Sequence, residues 1–175
     1  EHGQNEIVVS STRNELEEVG VIELPGGSAM VVQPRSLAGV VKPIEVPLTI
    51  SSHWRLNSLH AWLTLQLRYL VFHGPCKLIV KGCRGMRLES PVGEEPRTIR
   101  QSATIGWSAN LGYKTVRCET FIPYFRGKEE LFSDMFLGEH GKFAYEEMPY
   151  WGRQKGALSR GLEGLVNAVL KAFGI

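Results

Sequence analysis

Zinc is held by imidazole and thiolate, and one stretch of the chain places His73, Cys76 and Cys83 close together, with His60 and Cys118 as further candidates. His73 and Cys76 stand three apart in a turn. No second compact pair follows, so the spacing falls short of a structural zinc site, and Cys76 and Cys83 read as well as small core residues on strands. A cupin-type centre needs two histidines separated by one residue plus a glutamate, and the chain has no such pair; His53 and His140 stand isolated.

Carboxylate chemistry is equally thin. Asp134 is the sole aspartate, so acid–base pairs would have to be built from glutamates. The adjacent pairs Glu94 and Glu95, Glu129 and Glu130, and Glu146 and Glu147 do not make a two-carboxylate site, because neighbours on a strand point to opposite faces. There is no Gly-x-Ser-x-Gly elbow and no phosphate-binding lysine after a glycine loop; the turn Gly26, Gly27, Ser28 runs into Ala29 and Met30. The expectation is a non-enzymatic protein with no catalytic residues, no metal and no cofactor. A cupin-like small-molecule or metal-dependent enzyme is the alternative.

A second alternative is RNA binding. Lys77, Lys81, Arg84 and Arg87 form the one local concentration of basic residues, and Lys77 and Lys81 share a face of an extended strand beside the aromatic Phe72. Lysine is also a usual guard of exposed sheet edges, which makes a solvated edge strand the competing reading. Trp54, Trp62, Trp107 and Trp151 can stack bases or fill a β core. The net charge of +2, with both signs interleaved, supplies no global field to recruit nucleic acid or anionic lipid.

These residues must be positioned by short strands. Nineteen glycines and nine prolines are spread through 175 residues, with β-branched and aromatic residues between them, a pattern of strands and turns in one domain spanning residues 1–175. Strands are expected at Glu6 to Val9, Val19 to Leu24 and Ala29 to Gln33, the last two forming a hairpin across Pro25, Gly26 and Gly27. Thr12 and Glu15 have capping-box spacing for a brief helix before Val19, to which the strand through Val19 to Leu24 is the competing reading. Ile44, Val46, Leu48 and Ile50 alternate with polar or proline positions, a strand that Pro47 confines to an edge. His60 to Phe72 and Cys76 to Val80 flank His73, Gly74 and Pro75 as the arms of a second hairpin. Further strands are expected at Gly85 to Leu88, Thr98 to Gln101, Ile105 to Trp107, Thr115 to Ile122 and Lys142 to Tyr145.

The final segment differs in kind. Residues 157–173 have helical periodicity, with an apolar stripe of Leu158, Leu162, Leu165, Val166, Val169, Leu170 and Phe173. Beside it Ala157, Gly161, Gly164, Ala168 and Ala172 form a flank of small side chains. Glycine inside a helix costs about 1 kcal/mol relative to alanine, so that flank is expected to be an oligomer interface, with packing on the protein's own sheet as the other reading.

Through HAWLTLQLRYLVFHGPCKLIVKGCRGMRLE, LFSDMFLGEHGKFAYEEMP and SRGLEGLVNAVLKAFGI, covering roughly residues 60 to 175, the chain resembles the altered-inheritance-of-mitochondria protein twenty-four family, which joins mitochondrial biogenesis proteins to bacterial homologues. The family's aromatic, glycine and acidic turn matches Phe136, Gly138, Glu139 and Gly141, with His140 where a small residue is commoner. The resemblance implies a fold like that of the tryptophan RNA-binding attenuator protein, an antiparallel β-sandwich or double-stranded β-helix, here with a C-terminal amphipathic helix. It also implies a homo-oligomer, and it carries over no catalytic residue.

Three cysteines at irregular intervals argue for a reducing compartment, and no apolar run is long enough to span a membrane, so a cytoplasmic protein is expected. The role that follows is a binding or scaffold protein that self-associates, with other proteins as possible partners.

Overall fold

The computed structural model describes residues 8–10, 15–54, 68–91, 95–117 and 132–148, and it is mainly β with antiparallel sheets. The strands are β1 (Glu17–Leu24), β2 (Ala29–Val32), β3 (Leu37–Val41), β4 (Thr49–Trp54), β5 (Arg68–His73), β6 (Cys76–Cys83), β7 (Met86–Glu89), β8 (Arg97–Arg100), β9 (Thr104–Ser108), β10 (Gly112–Arg117), β11 (Phe132–Leu137) and β12 (Phe143–Glu146). The helix expected over 157–173, with its small-residue flank, lies outside the described residues. So do Thr12 of the capping box, His60, Trp62, Cys118 and Trp151.

A six-stranded sheet in the order β4-β5-β2-β9-β12-β7 forms the middle layer. Two three-stranded sheets, β1-β6-β3 and β10-β11-β8, cover its two faces. The expected sandwich thus has a third layer. Each central strand alternates residues between two cores: Met30 and Val32 of β2 face the β1-β6-β3 sheet, while Val31 faces β10-β11-β8.

The first core is mostly aliphatic, with Leu24, Met30, Leu78, Val80 and Ile105 around the single ring of Phe72. The second is aromatic: Trp107 stacks on Tyr113 at 4.3 Å between ring centroids, and Phe136 stacks on Phe143 at 5.0 Å. One bulge serves both. Gly106 opposes Ala144 and Thr104 opposes Tyr145, which leaves Ile105 as an extra residue on β9. Residues two apart would otherwise share a face; the bulge sends Ile105 into the first core and Trp107 into the second.

Both expected hairpins are corrected. β1 and β2 flank the Pro25–Gly27 turn but do not pair; β1 pairs with β6, and β2 pairs with β5 and β9. β5 and β6 likewise enter different sheets. The two turns are corners, side by side, over which a β1–β6 ribbon continues as a β2–β5 ribbon: Leu24 opposes Cys76 before the corner, and Ala29 opposes His73 after it. Gly74 N–H donates to Ser28 O at 2.9 Å, joining one corner to the other. Apolar alternation requires each strand to cover a core, and pairing across the turn is only one way of doing so.

The strand expected from Ile44 to Ile50 is also corrected. Only Thr49 and Ile50 are extended into β4; Pro43 and Pro47 bracket a turn in which Val46 N–H donates to Pro43 O, and Ile44 is exposed. Val8 and Val9 are irregular. Two strands unforeseen in the sequence, β3 and β11, complete the outer sheets. No helix among the described residues is long and apolar enough to cross a membrane.

Candidate interaction surface

On β6 the even positions Cys76, Leu78 and Val80 point into the first core, so Lys77, Ile79 and Lys81 lie on the outer face of the β1-β6-β3 sheet. Register places Val21 of β1 opposite Ile79, with Gly39 of β3 on the other side of Ile79; the next row is Glu23, Lys77 and Val41. Val19, opposite Lys81, continues the face. The result is a β-branched patch of Val19, Val21, Ile79 and Val41, in which Val21 is 58% and Val41 50% exposed.

Ion pairs rim this patch. Lys77 Nζ lies 2.6 Å from Glu23 Oε1, and Lys81 Nζ lies 3.6 Å from Glu17 Oε1. Arg87, on β7, pairs with Glu147. Arg84 sits in the left-handed region of the β6–β7 turn (φ 52°), with Nη1 3.4 Å from Met148 Sδ. Lys77 and Lys81 do share a face, but Lys77, Lys81 and Arg87 each hold a carboxylate that reduces their attraction for phosphate. Phe72 is buried in the first core and presents no ring beside them. Hydrogen bonding and charge from Lys77 hold the Glu23 carboxyl below its ordinary range. The pair's stabilisation is therefore present above the ordinary glutamate value and is lost as pH falls through the depressed one. In an NMR carboxyl titration, Glu23 should titrate below the ordinary value in the native chain and return to it in Lys77→Ala.

The residues singled out for chemistry have structural surroundings. Cys76 and Cys83 are buried at the two ends of β6. Burial pushes the Cys76 thiol up, away from the reactive thiolate. His73 Nε2 lies 2.8 Å from Ser51 Oγ. No three of His, Cys, Asp and Glu converge on a common point among the described residues. Glu146 is buried and accepts a hydrogen bond from the Cys83 N–H at 2.7 Å, which ties the end of β12 to the end of β6.

Asp134 carries a role that spacing did not reveal. It is fully buried on β11, where Oδ1 accepts the Tyr113 hydroxyl at 2.8 Å; Tyr69 and Thr115 donate to the same phenol oxygen at 3.4 and 3.2 Å. Burial, reinforced by the Asp134 charge, pushes the Tyr113 phenol far up, so it remains a donor. A lone acidic residue inside the apolar run LFSDMF was the available signal. The cluster holds the third layer to the middle one within the aromatic core.

A groove of about 840 Å³ opens beside β1, floored by Ile22, Leu24, Met30 and Leu88, with Glu139 and Lys142 on its rim. Its size suits a small molecule. Its acidic and basic rim groups offer orientation to such a molecule.

Fold and surface together define an antiparallel, mainly β protein whose outer sheet presents an apolar, ion-rimmed face. Neither a scan of family models nor a search of curated proteins finds a match. Among solved structures, the chain is similar to protein SPYM3_0169 from Streptococcus pyogenes, with a TM-score of 0.54 and 14% sequence identity over 89% of this chain. The match covers 60% of the streptococcal chain and shows the fold alone.

Proposed function

We propose that the protein is a non-enzymatic binding or scaffold protein that self-associates, with the outer face of the β1-β6-β3 sheet as a contact surface. The observation that supports this reading is the patch of Val19, Val21, Ile79 and Val41, left in water on a sheet whose opposite face is fully used by the first core. A contiguous apolar patch rimmed by polar residues is the kind of surface that marks a protein contact. The oligomeric tendency implied by the resemblance to the mitochondrial-biogenesis family points the same way. Cysteines that serve as small buried core residues, as Cys76 does, suit a reducing compartment such as the cytoplasm.

The test is mass in solution. Wild-type protein at micromolar concentration should scatter light as a multiple of the single chain. Val21→Lys should lower that mass while the circular dichroism spectrum stays that of wild type, because the position is exposed in the single chain. A wild-type single chain would remove the proposal.

A further inference from the structure

Edge strands present unpaired backbone donors and acceptors, and proteins usually blunt them with charge, shortness, proline or a bulge. Among the described residues, five of the six edges are blunted. β1 carries Glu17, Glu18 and Glu23; β10 carries Lys114 and Arg117; β7 and β8 are four residues long and carry Arg87 with Glu89, and Arg97 with Arg100. β3 is uncharged, but its register with β6 slips between Leu37 and Gly39, so Ala38 bulges.

β4 has none of these devices. Its sequence, Thr-Ile-Ser-Ser-His-Trp, holds no formally charged residue and no proline. All six residues pair with β5 in unbroken register, from Thr49 opposite His73 to Trp54 opposite Arg68. Its other side has no strand partner among the described residues. Ile50 and Trp54 lie on the face that Phe72 and Leu70 share with the first core, yet they are 48% and 50% exposed. The three-stranded outer sheet is narrower than the six-stranded one, and β4 overhangs it.

The sequence of this edge is self-complementary. Two antiparallel copies related by a two-fold axis normal to the sheet pair residues of like parity, since opposed residues share a face. Centred on Ser52, that symmetry sets Ile50 against Trp54 of a second copy, Trp54 against its Ile50, and Ser51 against His53, with no like charges opposed. The β-branched–aromatic pair occurs twice, each worth about 0.2–1 kcal/mol beyond an alanine pair, in addition to the backbone ladder.

We infer that β4 is a second contact surface whose partner is the β4 of another copy, paired antiparallel about Ser52 so that the central sheets join into one continuous sheet. The inference rests on the self-association reading and goes beyond it, because an edge contact and a face contact together build assemblies larger than a dimer.

Ser52→Cys, made in a Cys118→Ser background, tests it. Directly opposed cross-strand residues have Cβ atoms about 4.5–5.5 Å apart, so mild oxidation should convert the variant to a covalent dimer on a non-reducing gel, with mass in solution unchanged. Ser52→Lys opposes two ammonium groups and should halve the mass while the circular dichroism spectrum stays that of wild type. An assembled Ser52→Cys protein that remains a single chain after oxidation overturns the edge contact and leaves the face contact standing. A wild-type single chain overturns both.

Discussion

Replacing Gly74 with alanine is expected to destabilise the protein by about 3 kcal/mol or more, the upper end of what overpacking costs, even though only one methyl group is added. A Cβ at this position would lie 2.2 Å from Pro25 O and 2.7 Å from Leu24 O. Both are backbone atoms of the neighbouring corner, so no side chain can rotate aside. The corners are tied by the Gly74 N–H bond to Ser28 O, and moving one displaces the start of β2 or the end of β5. Urea unfolding monitored by circular dichroism measures the effect. Gly26→Ala is the control, because nothing lies within 4 Å of a Cβ there.

Trp107→Ala should cost about 3–5 kcal/mol, the range for a large aromatic removed from a core. Trp107 is buried, stacks on Tyr113, and receives the edge of Tyr69 with centroids 5.4 Å apart. Its loss opens a cavity beside the phenol that donates to Asp134. Water entering there competes for that carboxylate, so a double-mutant cycle of Trp107→Ala with Tyr113→Phe should be non-additive by at least about 0.5 kcal/mol. Strict additivity would mean that the aromatic stack and the buried polar cluster act independently. Ultraviolet-detected chemical denaturation of the four proteins gives the cycle.

Strands were legible wherever alternation met turn residues, as at Lys142 to Tyr145, Thr98 to Gln101 and Cys76 to Val80. Pairing was not. Pro25–Gly27 and His73–Pro75 announce reversals, but the residues on either side are needed on two different layers, and only the assembled cores decide this. Ile44 to Ile50 alternates in the letter, yet Pro43 and Pro47 withdraw two backbone donors and favour the turn. β3, Leu-Ala-Gly-Val-Val, has neither alternation nor charge to mark it. Phe136 drew attention through the turn that follows it, and the strand leading to that turn, with buried Asp134 at its centre, passed unread.

The candidate surface was less visible still. In sequence Lys77 and Lys81 read either as cations lining a strip or as guards of an exposed edge. β6 is instead the middle strand of its sheet, and the glutamates that neutralise them stand more than fifty residues away along the chain and meet them only through the β1–β6 register. Exposure of Val21 and Val41 has no signature at all in alternation, since a valine facing water and a valine facing a core have the same period. What distinguishes them is which face of the outer sheet meets the central one. The edge strand β4 was half seen: Ile50 fell within an expected strand, whereas the run Ser51 to Trp54 offers no apolar periodicity and becomes a strand through its unbroken pairing with β5.

The ribbon that turns both corners also governs how the chain reaches this structure. Joining Leu24 to Cys76 closes a loop of about fifty residues before any stacking energy is gained, an entropic toll that grows only logarithmically with length but must be met at the outset. Folding should accordingly be slow for the size of the protein, on the order of milliseconds to seconds, as in other topologies dominated by distant pairings. The same event aligns β1 with β6 and β2 with β5. Two of the three layers therefore depend on one long-range closure made at two adjacent turns.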